Sequence, residues 1–232
     1  SYFNFKGALG NDALRQAILY AVDDETMCDV TVGGMYTPGC SVLPSSLSYG
    51  YDQLTDTYAY NLDKAVEVLD EAGIVDTDGD GYRELEGENI NLNYIAYSSR
   101  NLDEFAQAVS ITLESIGIGC TVTVQDYDTA LANQSAGSFD LITSNAIVVP
   151  TGDPTGFLGN FYLKNSATYG YYANAEYDAL YEQLLAETDP DQQQELIVEL
   201  QQILIDDGAT LVHGYYNSTF ASRAETVTGA DI

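Results

Sequence analysis

The sequence predicts an α/β fold with a mixed, largely parallel open sheet that is flanked by helices. Two strand patterns with one helix pattern between them carry this prediction. Apolar and polar residues alternate over residues 90–96 and again over residues 118–124, where the apolar face ends at Val124. Apolar residues recur at helical spacing from Leu102 to Ile116, and Gly117 then ends the helix. Strands joined by a helical crossover of this length are expected to be parallel.

An open sheet of this kind binds ligands in the crevice outside the carboxyl ends of its strands. Those ends fall at residues 97–100 and 125–127. Residues 128–134 predict a short helix that Gly137 breaks, and residues 139–144 predict a third strand. The loop over residues 145–156 leaves that strand at its carboxyl end, so we expect it to border the same crevice.

The elements before this unit follow from caps and periodicity. Residues 2–5 predict a short strand, Asn11 or Asp12 caps a helix, and residues 24–30 restart a short one. Residues 31–60 are irregular and rich in Gly, Pro, Ser and Tyr, which predicts a loop that lies over another part of the molecule. Asn61 caps a further helix, and Gly73 is placed to end it in a left-handed conformation.

The last part of the chain predicts two helices and a strand. Asn174 caps the first helix, and Asp189 followed by Pro190 starts the second. Residues 210–216 predict the strand. One face of the first helix is expected to carry Tyr177, Leu180, Tyr181, Leu184 and Leu185, and the second is expected to turn inward Leu196, Leu200, Ile203 and Leu204.

The length and the charge of the chain limit the partners that it can have. The chain has 232 residues, enough for a sizeable core, and no run approaches the roughly 20 apolar residues of a membrane span. Residues 1–5 lack the order of a signal peptide, so the protein is expected to be cytosolic or to have its targeting segment outside this sequence. A formal net charge of -29 argues against nucleic acid or an anionic membrane as partner.

The acidic turn before the central unit can be explained in two ways. Asp76, Asp78 and Asp80 with Gly81 match the start of a calcium loop, but the twelfth position is Gly87 and not the bidentate glutamate. A polar turn explains the same residues.

The three cysteines show no metal-ligand spacing. Cys120 falls on the apolar face of a strand, and Cys28 and Cys40 could form a disulfide that closes a short loop in an oxidising compartment.

Motifs for catalysis are absent. His213 is the only histidine and lies in an apolar run, which favours a core or rim role over a catalytic one. The sequence has no G-x-S-x-G, no P-loop and no G-x-G-x-x-G. Nineteen tyrosines and no tryptophan supply many amphipathic surfaces that could contact a ligand.

Several segments together resemble one family, the extracytoplasmic solute-binding proteins of ABC importers of the oligopeptide, dipeptide and nickel type. Residues 11–23, with Arg15-Gln16-Ala17-Ile18, resemble its D-x-x-V-R-Q-A-I-x-x-A-x-D signature, and residues 64–73 resemble its K-A-x-x-L-L-x-E-A-G helix. The remaining matches, in the family's order, are Asp78-Gly79-Asp80-Gly81, Ile116-Gly117-Ile118, Phe139-Asp140, Asp153-Pro154 and Asn174 with Tyr177-Asp178 and Leu180.

The resemblance implies a type II periplasmic-binding-protein-like lobe. Residues 1–232 would form the C-terminal ligand-binding lobe of a two-lobe receptor, with the first lobe and the final return strand outside this chain. It further implies capture of an oligopeptide or similar polar solute without chemistry, a membrane permease as partner, and a parent that is periplasmic or a cell-surface lipoprotein. No cofactor is implied.

One departure bears on the ligand. Peptide-binding members often carry a tryptophan and, three residues later, an aspartate that holds the peptide amino group. The corresponding positions here are Ile147 and Pro150, which cannot do this. A free peptide amino terminus is therefore not expected at that point, unless Asp153 anchors it.

The expected ligand contacts lie in the exit loops. A ligand carboxylate at Arg100 would gain a charge-assisted bond, although Arg100 could instead pair with Asp103 or Glu104 at the surface. Two other classes stay open: a secreted hydrolase fragment that uses acidic residues, and a calcium-stabilised cell-surface interaction module. The predicted ligand-binding residues are Tyr97, Ser98, Arg100, Gln134, Ser144, Asn145, Ile147, Val148, Thr151 and Asp153.

Overall fold

The computed structural model describes residues 1–163 and 166–218. No helix of this described part is long and apolar enough to cross a membrane. Its strands are β1 Tyr2–Phe3, β2 Tyr36–Thr37, β3 Glu84–Leu85, β4 Glu88–Asn89, β5 Asn91–Tyr97, β6 Gly119–Gln125, β7 Leu141–Ile142 and β8 Tyr215–Tyr216. Its α-helices are α1 Asp12–Ala21, α2 Asp24–Thr26, α3 Leu62–Glu71, α4 Leu102–Ser115, α5 Tyr127–Ala136, α6 Thr155–Leu158, α7 Ala175–Ala186 and α8 Pro190–Asp206.

The main sheet has the strand order β1-β7-β5-β6. β5 pairs in parallel with β6 along its whole length, from Asn91 opposite Gly119 to Tyr97 opposite Gln125, and α4 is the crossover between them. β5 also pairs in parallel with β7, whereas β1 runs antiparallel to β7 at the edge. The parallel strand–helix–strand unit that the sequence predicted is therefore confirmed, and so is a third parallel strand beside it.

Helices cover both faces of β5. On one face, Tyr94 and its neighbours join a core built from α1, α3 and α4. On the other face, Ile95 and Tyr97 join a second core built mainly from α7 and α8. The sequence predicted one apolar face for this strand, but its carboxyl half is buried on both faces because a helical layer lies on each side.

Two side chains predicted to face inward are exposed. Val124 near the end of β6 is 46% exposed, and Leu185 on α7 is 58% exposed. Within the described residues β6 pairs only with β5 and forms an edge of the sheet, so its outer end lacks cover. Periodicity predicted the direction of these side chains but not whether anything packs on them.

Three predicted strands are shorter than their patterns, and of residues 2–5 only β1 is a strand. Of residues 139–144, only Leu141 and Ile142 form β7, although the Asp140 and Thr143 N–H groups also donate to the Asn93 and Ile95 carbonyls of β5. Of residues 210–216, only β8 is a strand, and it pairs with β2 rather than with the main sheet. Thr210 makes a single bridge to Tyr2.

Local signals for helix ends are confirmed. The side chains of Asn11, Asn61, Asn174 and Asp189 each accept an N–H at the start of the helix they were expected to cap.

The possible disulfide is not formed. Cys28, Cys40 and Cys120 are all free, and the Cys28 thiol donates to the His213 carbonyl instead.

Candidate functional site

The exit loops of β5 and β7 lie side by side. The Arg100 guanidinium donates to the Asn145 side-chain oxygen, and the Asn145 N–H donates to the Tyr97 hydroxyl at 3.2 Å. Parallel strands end at the same edge of a sheet, so this contact follows directly from the pairing of β5 with β7. Two residues 45 positions apart in the chain thereby form one rim.

A cleft of about 640 Å³ opens beside this rim. Its size is within the range of small-molecule and cofactor sites. Five of the residues predicted from the sequence line it: Arg100, Ser144, Asn145, Ile147 and Val148.

The other five predicted residues do not line the cleft. Tyr97 is buried, and its hydroxyl accepts the Asn145 N–H. The Ser98 hydroxyl donates to Asp103 at 2.8 Å. Thr151 is exposed, and Asp153 is exposed and accepts the Thr155 N–H at 2.9 Å.

Gln134 lies away from the cleft for a geometric reason. It occupies the last turn of α5, and its side chain is buried and donates to the Thr168 carbonyl at 3.0 Å. A helix that follows a parallel strand runs back toward the opposite edge of the sheet. The end of α5 is therefore remote from the carboxyl ends of the strands, although its beginning is not.

The opposite wall of the cleft comes from segments in which the sequence showed no site. Tyr36 and residues 41, 42 and 44–46 contribute from the irregular stretch before α3, and residues 210–218 contribute from the end of the described chain. The β2–β8 ladder, with Tyr36 opposite Tyr216, joins these two segments. The only sequence signal for this wall was the expectation that the irregular stretch covers another part of the molecule.

Arg100 is held in place by its backbone and by its neighbours. Arg100 and Asn101 both have left-handed backbone conformations, with φ values of 53° and 58°. The Tyr36 hydroxyl donates to the Arg100 carbonyl at 2.6 Å, and the guanidinium lies 5.0 Å from the centre of the Tyr216 ring. Non-glycine residues in this conformation are uncommon and concentrate at functional sites.

The alternative role proposed for Arg100 is wrong. Within the described residues Arg100 forms no ion pair. Asp103 accepts from Ser98, and Glu104 accepts from the Asn101 side chain at 2.8 Å. Both nearby carboxylates are therefore bonded to other partners.

His213 lines the inner end of the cleft and is buried. Its ring stacks on Phe105 with centroids 4.8 Å apart, and its Nδ1 lies 3.0 Å from a carboxylate oxygen of Asp24. Burial lowers the pKa of His213, although Asp24 opposes the shift. The imidazole is therefore neutral at neutral pH, in line with the core role that the sequence favoured.

The side chains of Ser1, His213 and Asp24 lie next to one another in the spatial sequence of the serine, histidine and aspartate of a hydrolase triad. The Ser1 hydroxyl is 3.1 Å from His213 Nε2, but its shorter contact, at 2.6 Å, is with the hydroxyl of Tyr94. Tyr94 is fully buried and also lies 3.3 Å from His213. These contacts form a closed polar network that satisfies Tyr94 and His213 in the core, which is the ordinary fate of buried polar groups.

The acidic turn before β3 is organised by its own hydrogen bonds. Carboxylate oxygens of Asp76, Asp78 and Glu84 lie within 4.8 Å of one another, whereas Asp80, the third predicted calcium ligand, is not in this group. Asp76 accepts the N–H groups of Gly79 and Gly81, and these bonds lower its pKa. A polar turn accounts for this arrangement without a cation.

A second cavity, of about 690 Å³, shares residues 210–212 with the cleft as a common wall. Four carboxylates line it, and burial raises the pKa of one of them, Asp56. The tyrosines Tyr51, Tyr58 and Tyr60 and the acidic residues Asp23, Asp24, Glu25 and Asp56 contribute to its lining.

Comparison with known proteins gives one family and several similar structures. Residues 1–169 match the sequence model of the family described as "Bacterial extracellular solute-binding proteins, family 5 Middle". The oligopeptide-binding protein AppA of Bacillus subtilis is 24% identical over 237 residues, an alignment that covers 98% of this chain and 42% of AppA.

Two solved structures show the same fold. The structure of Bacillus subtilis AppA in complex with a nonapeptide matches with a TM-score of 0.84 at 20% identity, over 93% of this chain and 44% of that one. NikA from Brucella suis in complex with Fe(III)-EDTA matches with a TM-score of 0.80 at 25% identity, over 93% of this chain and 44% of NikA. The likeness confirms the predicted type II α/β fold, and the chain spans about two fifths of the length of these relatives.

Proposed function

Because the chain belongs to the bacterial extracellular solute-binding proteins of family 5, we propose that it is the C-terminal ligand-binding lobe of the solute receptor of an ABC importer. In this proposal residues 1–232 form one lobe and a first lobe closes over it. The receptor captures its solute without chemical conversion and delivers it to a membrane permease. The parent protein lies outside the cytoplasm, in the periplasm or as a lipoprotein on the cell surface.

The observation that carries the proposal is the meeting of two exit loops at one cleft. Arg100 and Asn145 follow neighbouring parallel strands and bond to each other at the cleft rim. Open α/β sheets place their ligands at this edge. One lobe supplies one half of such a site, and closure of the second lobe would exclude water and strengthen polar contacts to the solute.

We propose an oligopeptide, or a polar solute of similar size, as ligand. Bacillus subtilis AppA is named as an oligopeptide-binding protein, and its structure holds a nonapeptide. The cleft of this chain offers both kinds of surface that a peptide needs. Arg100, Ser144 and Asn145 provide polar contacts, and Ile147 and Val148 provide apolar ones. Tyr97 is a positioning residue, because it holds Asn145 from beneath.

Calorimetry with short peptides tests the proposal on two proteins, this chain and the proposed two-lobe receptor, here called the longer receptor. We expect the longer receptor to bind at least about 100-fold more tightly, because one lobe alone leaves half of the ligand in water. Equal affinity of the two proteins for the same peptide would overturn capture between two lobes. No binding by the longer receptor to any member of a varied peptide set would overturn the peptide as ligand.

A further inference from the structure

We propose that residues 36–49, here called the wall segment, hold the exit loops of both β5 and β7 in the conformation that binds the solute. The inference rests on the proposed function, because it concerns the same cleft and names the residues that position it. Three sets of hydrogen bonds carry it, one to each exit loop and one to α8.

The first contact lies at the exit loop of β5. The Tyr36 hydroxyl donates to the Arg100 carbonyl at 2.6 Å, and within the described residues this carbonyl accepts no other hydrogen bond. Burial raises the pKa of Tyr36 to about 12, so its hydroxyl remains a donor at neutral pH. The bond reaches a turn in which two successive residues, Arg100 and Asn101, have left-handed backbone conformations, which residues with a side chain disfavour.

This turn lacks the local support that the other helix starts have. In the described chain, α4 is the one helix of ten or more residues that begins without a side-chain cap. The Asn101 side chain donates to Glu104 at 2.8 Å instead. Tyr36 supports the turn from outside, because its ring also packs edge-on against Phe105 in the first turn of α4, with centroids 5.0 Å apart.

The second contact lies at the exit loop of β7. The Tyr49 hydroxyl donates to the Gly152 carbonyl, a bond between residues 103 positions apart in the chain. Gly152 belongs to the loop over residues 145–156, the first part of which lines the cleft. One end of the wall segment is therefore bonded to the exit loop of β5, and the other end is bonded to the exit loop of β7.

The third contact fixes the wall segment to the rest of the lobe. Gln201 on α8 is 1% exposed, and its side chain accepts from the Ser41 hydroxyl at 2.8 Å and donates to the Tyr49 carbonyl at 2.9 Å. Leu43, between these two residues, is buried in the second core. Leaving a buried amide without partners is costly, so Gln201 specifies one position for the segment.

Because one segment is bonded to both exit loops, a change at one of its ends should reach the other loop. The effect on binding should appear in the association rate. A free site that is less often in the binding conformation captures solute in proportion to the fraction that is competent. Loss of a group that bonds the solute directly would instead speed dissociation.

The test is stopped-flow kinetics on the longer receptor, with the peptide that binds it most tightly in calorimetry. Tyr36→Phe and Tyr49→Phe each remove one hydroxyl and keep the ring. We expect each to slow association about threefold, the scale of one lost hydrogen bond, and to leave dissociation unchanged. We expect the double variant to slow association by less than the product of the two factors, because both changes release the same segment.

Tyr51→Phe is the matched control. The Tyr51 hydroxyl accepts the Cys40 N–H at 3.0 Å in the same irregular stretch, and Tyr51 does not line the cleft. We expect its association rate to equal that of the unaltered receptor. Gln201→Met removes the bonds to α8 and keeps the approximate volume, and it should slow association at least as much as either exit-loop variant.

NMR of the ¹⁵N-labelled chain reads the same coupling without a solute. In Tyr49→Phe, we expect the amide signals of residues 99–102 to shift together with those of residues 145–152. In Tyr51→Phe, neither loop should shift. Shifts confined to the loop beside the substituted tyrosine would overturn the inference.

The kinetic outcomes are equally decisive. Unchanged association in Tyr36→Phe and Tyr49→Phe, or equal slowing in Tyr51→Phe, would overturn the inference alone. Faster dissociation with unchanged association would show that the hydroxyls bond the solute and do not position the loops. Absence of peptide binding by the unaltered receptor would count against the proposed function, and the NMR shifts would then decide whether the segment couples the two loops.

Discussion

Arg100 illustrates what a sequence pattern does and does not specify about one residue. Asp103 and Glu104 lie three and four positions after it, the spacing at which helical side chains pair. The helix begins at Leu102, however, and both Arg100 and Asn101 adopt left-handed backbone conformations ahead of it. Helical spacing therefore does not apply to Arg100. Its side chain turns to the neighbouring exit loop, a contact that follows from the parallel pairing of β5 with β7 and not from helical spacing.

His213 leads to a prediction about pH. Burial lowers its pKa, so the unfolded chain takes up a proton at about pH 6.5 that the folded chain resists. The free energy of unfolding should therefore fall as the pH drops through about 6.5, and this loss should continue down to the lowered pKa of the folded state. In His213→Asn this component is absent, so the difference between the two proteins should narrow as the pH falls. Urea unfolding at about pH 5.5, 6.5 and 7.5 measures it.

The same variant addresses the triad-like order of Ser1, His213 and Asp24. We expect His213→Asn to lower stability at neutral pH by about 1–3 kcal/mol, since it leaves buried polar partners unpaired. We expect no hydrolysis of activated esters by the unaltered chain. Parallel stability curves for the two proteins would contradict the pH argument. Ester hydrolysis by the unaltered chain that is lost in His213→Asn would support the alternative that the chain is part of a hydrolase.

At the scale of elements, periodicity and caps predicted the regular part of the fold. The β5–α4–β6 unit follows from local alternation and helical spacing, which depend only on near neighbours in the chain. Val124 and Leu185 could not be predicted in the same way, because their exposure depends on what packs outside β6 and α7. β2 is two residues long and lies in the irregular stretch, and its partner β8 lies at the end of the predicted strand over residues 210–216. No local pattern predicted that these two distant segments pair with each other.

The candidate site likewise has one part that the sequence predicted and one part that it did not. The rim at Arg100 and Asn145 was predictable, because parallel pairing fixes where strands end. The wall formed by Tyr36 and residues 41, 42 and 44–46 was not, because an irregular segment is positioned by tertiary contacts such as the bond from Tyr36 to the Arg100 carbonyl.

Gly170 provides a prediction about how one short turn packs on β1. It has a φ of 66°, and a Cβ added there would lie 1.6 Å from the Phe3 carbonyl oxygen. Gly170→Ala should therefore lower the free energy of unfolding by about 3 kcal/mol or more, since backbone must move to relieve the clash. Gly73→Ala is the matched control. Its φ is 73°, nothing lies within 4 Å, and only the cost of the left-handed conformation, about 1–2 kcal/mol, is expected. Equal losses in urea unfolding would show that the turn does not pack as described.

At the scale of the whole molecule, two cavities of similar size share one wall and have opposite linings. The cleft beside β5 and β7 carries Arg100 and no carboxylate among its described lining residues, whereas the second cavity carries four carboxylates. The formal net charge of -29 describes neither of them. The location of the ligand therefore distinguishes two chemically different sites and has to be measured directly.

Hydrogen exchange in the proposed two-lobe receptor, with and without a bound peptide, makes that measurement. We predict that the peptide slows exchange in residues 36–46, 100–105 and 144–148, and that exchange in residues 51–60 at the second cavity is unchanged. Slowing confined to residues 19–26 and 51–60, with none in the exit loops of β5 and β7, would contradict the account.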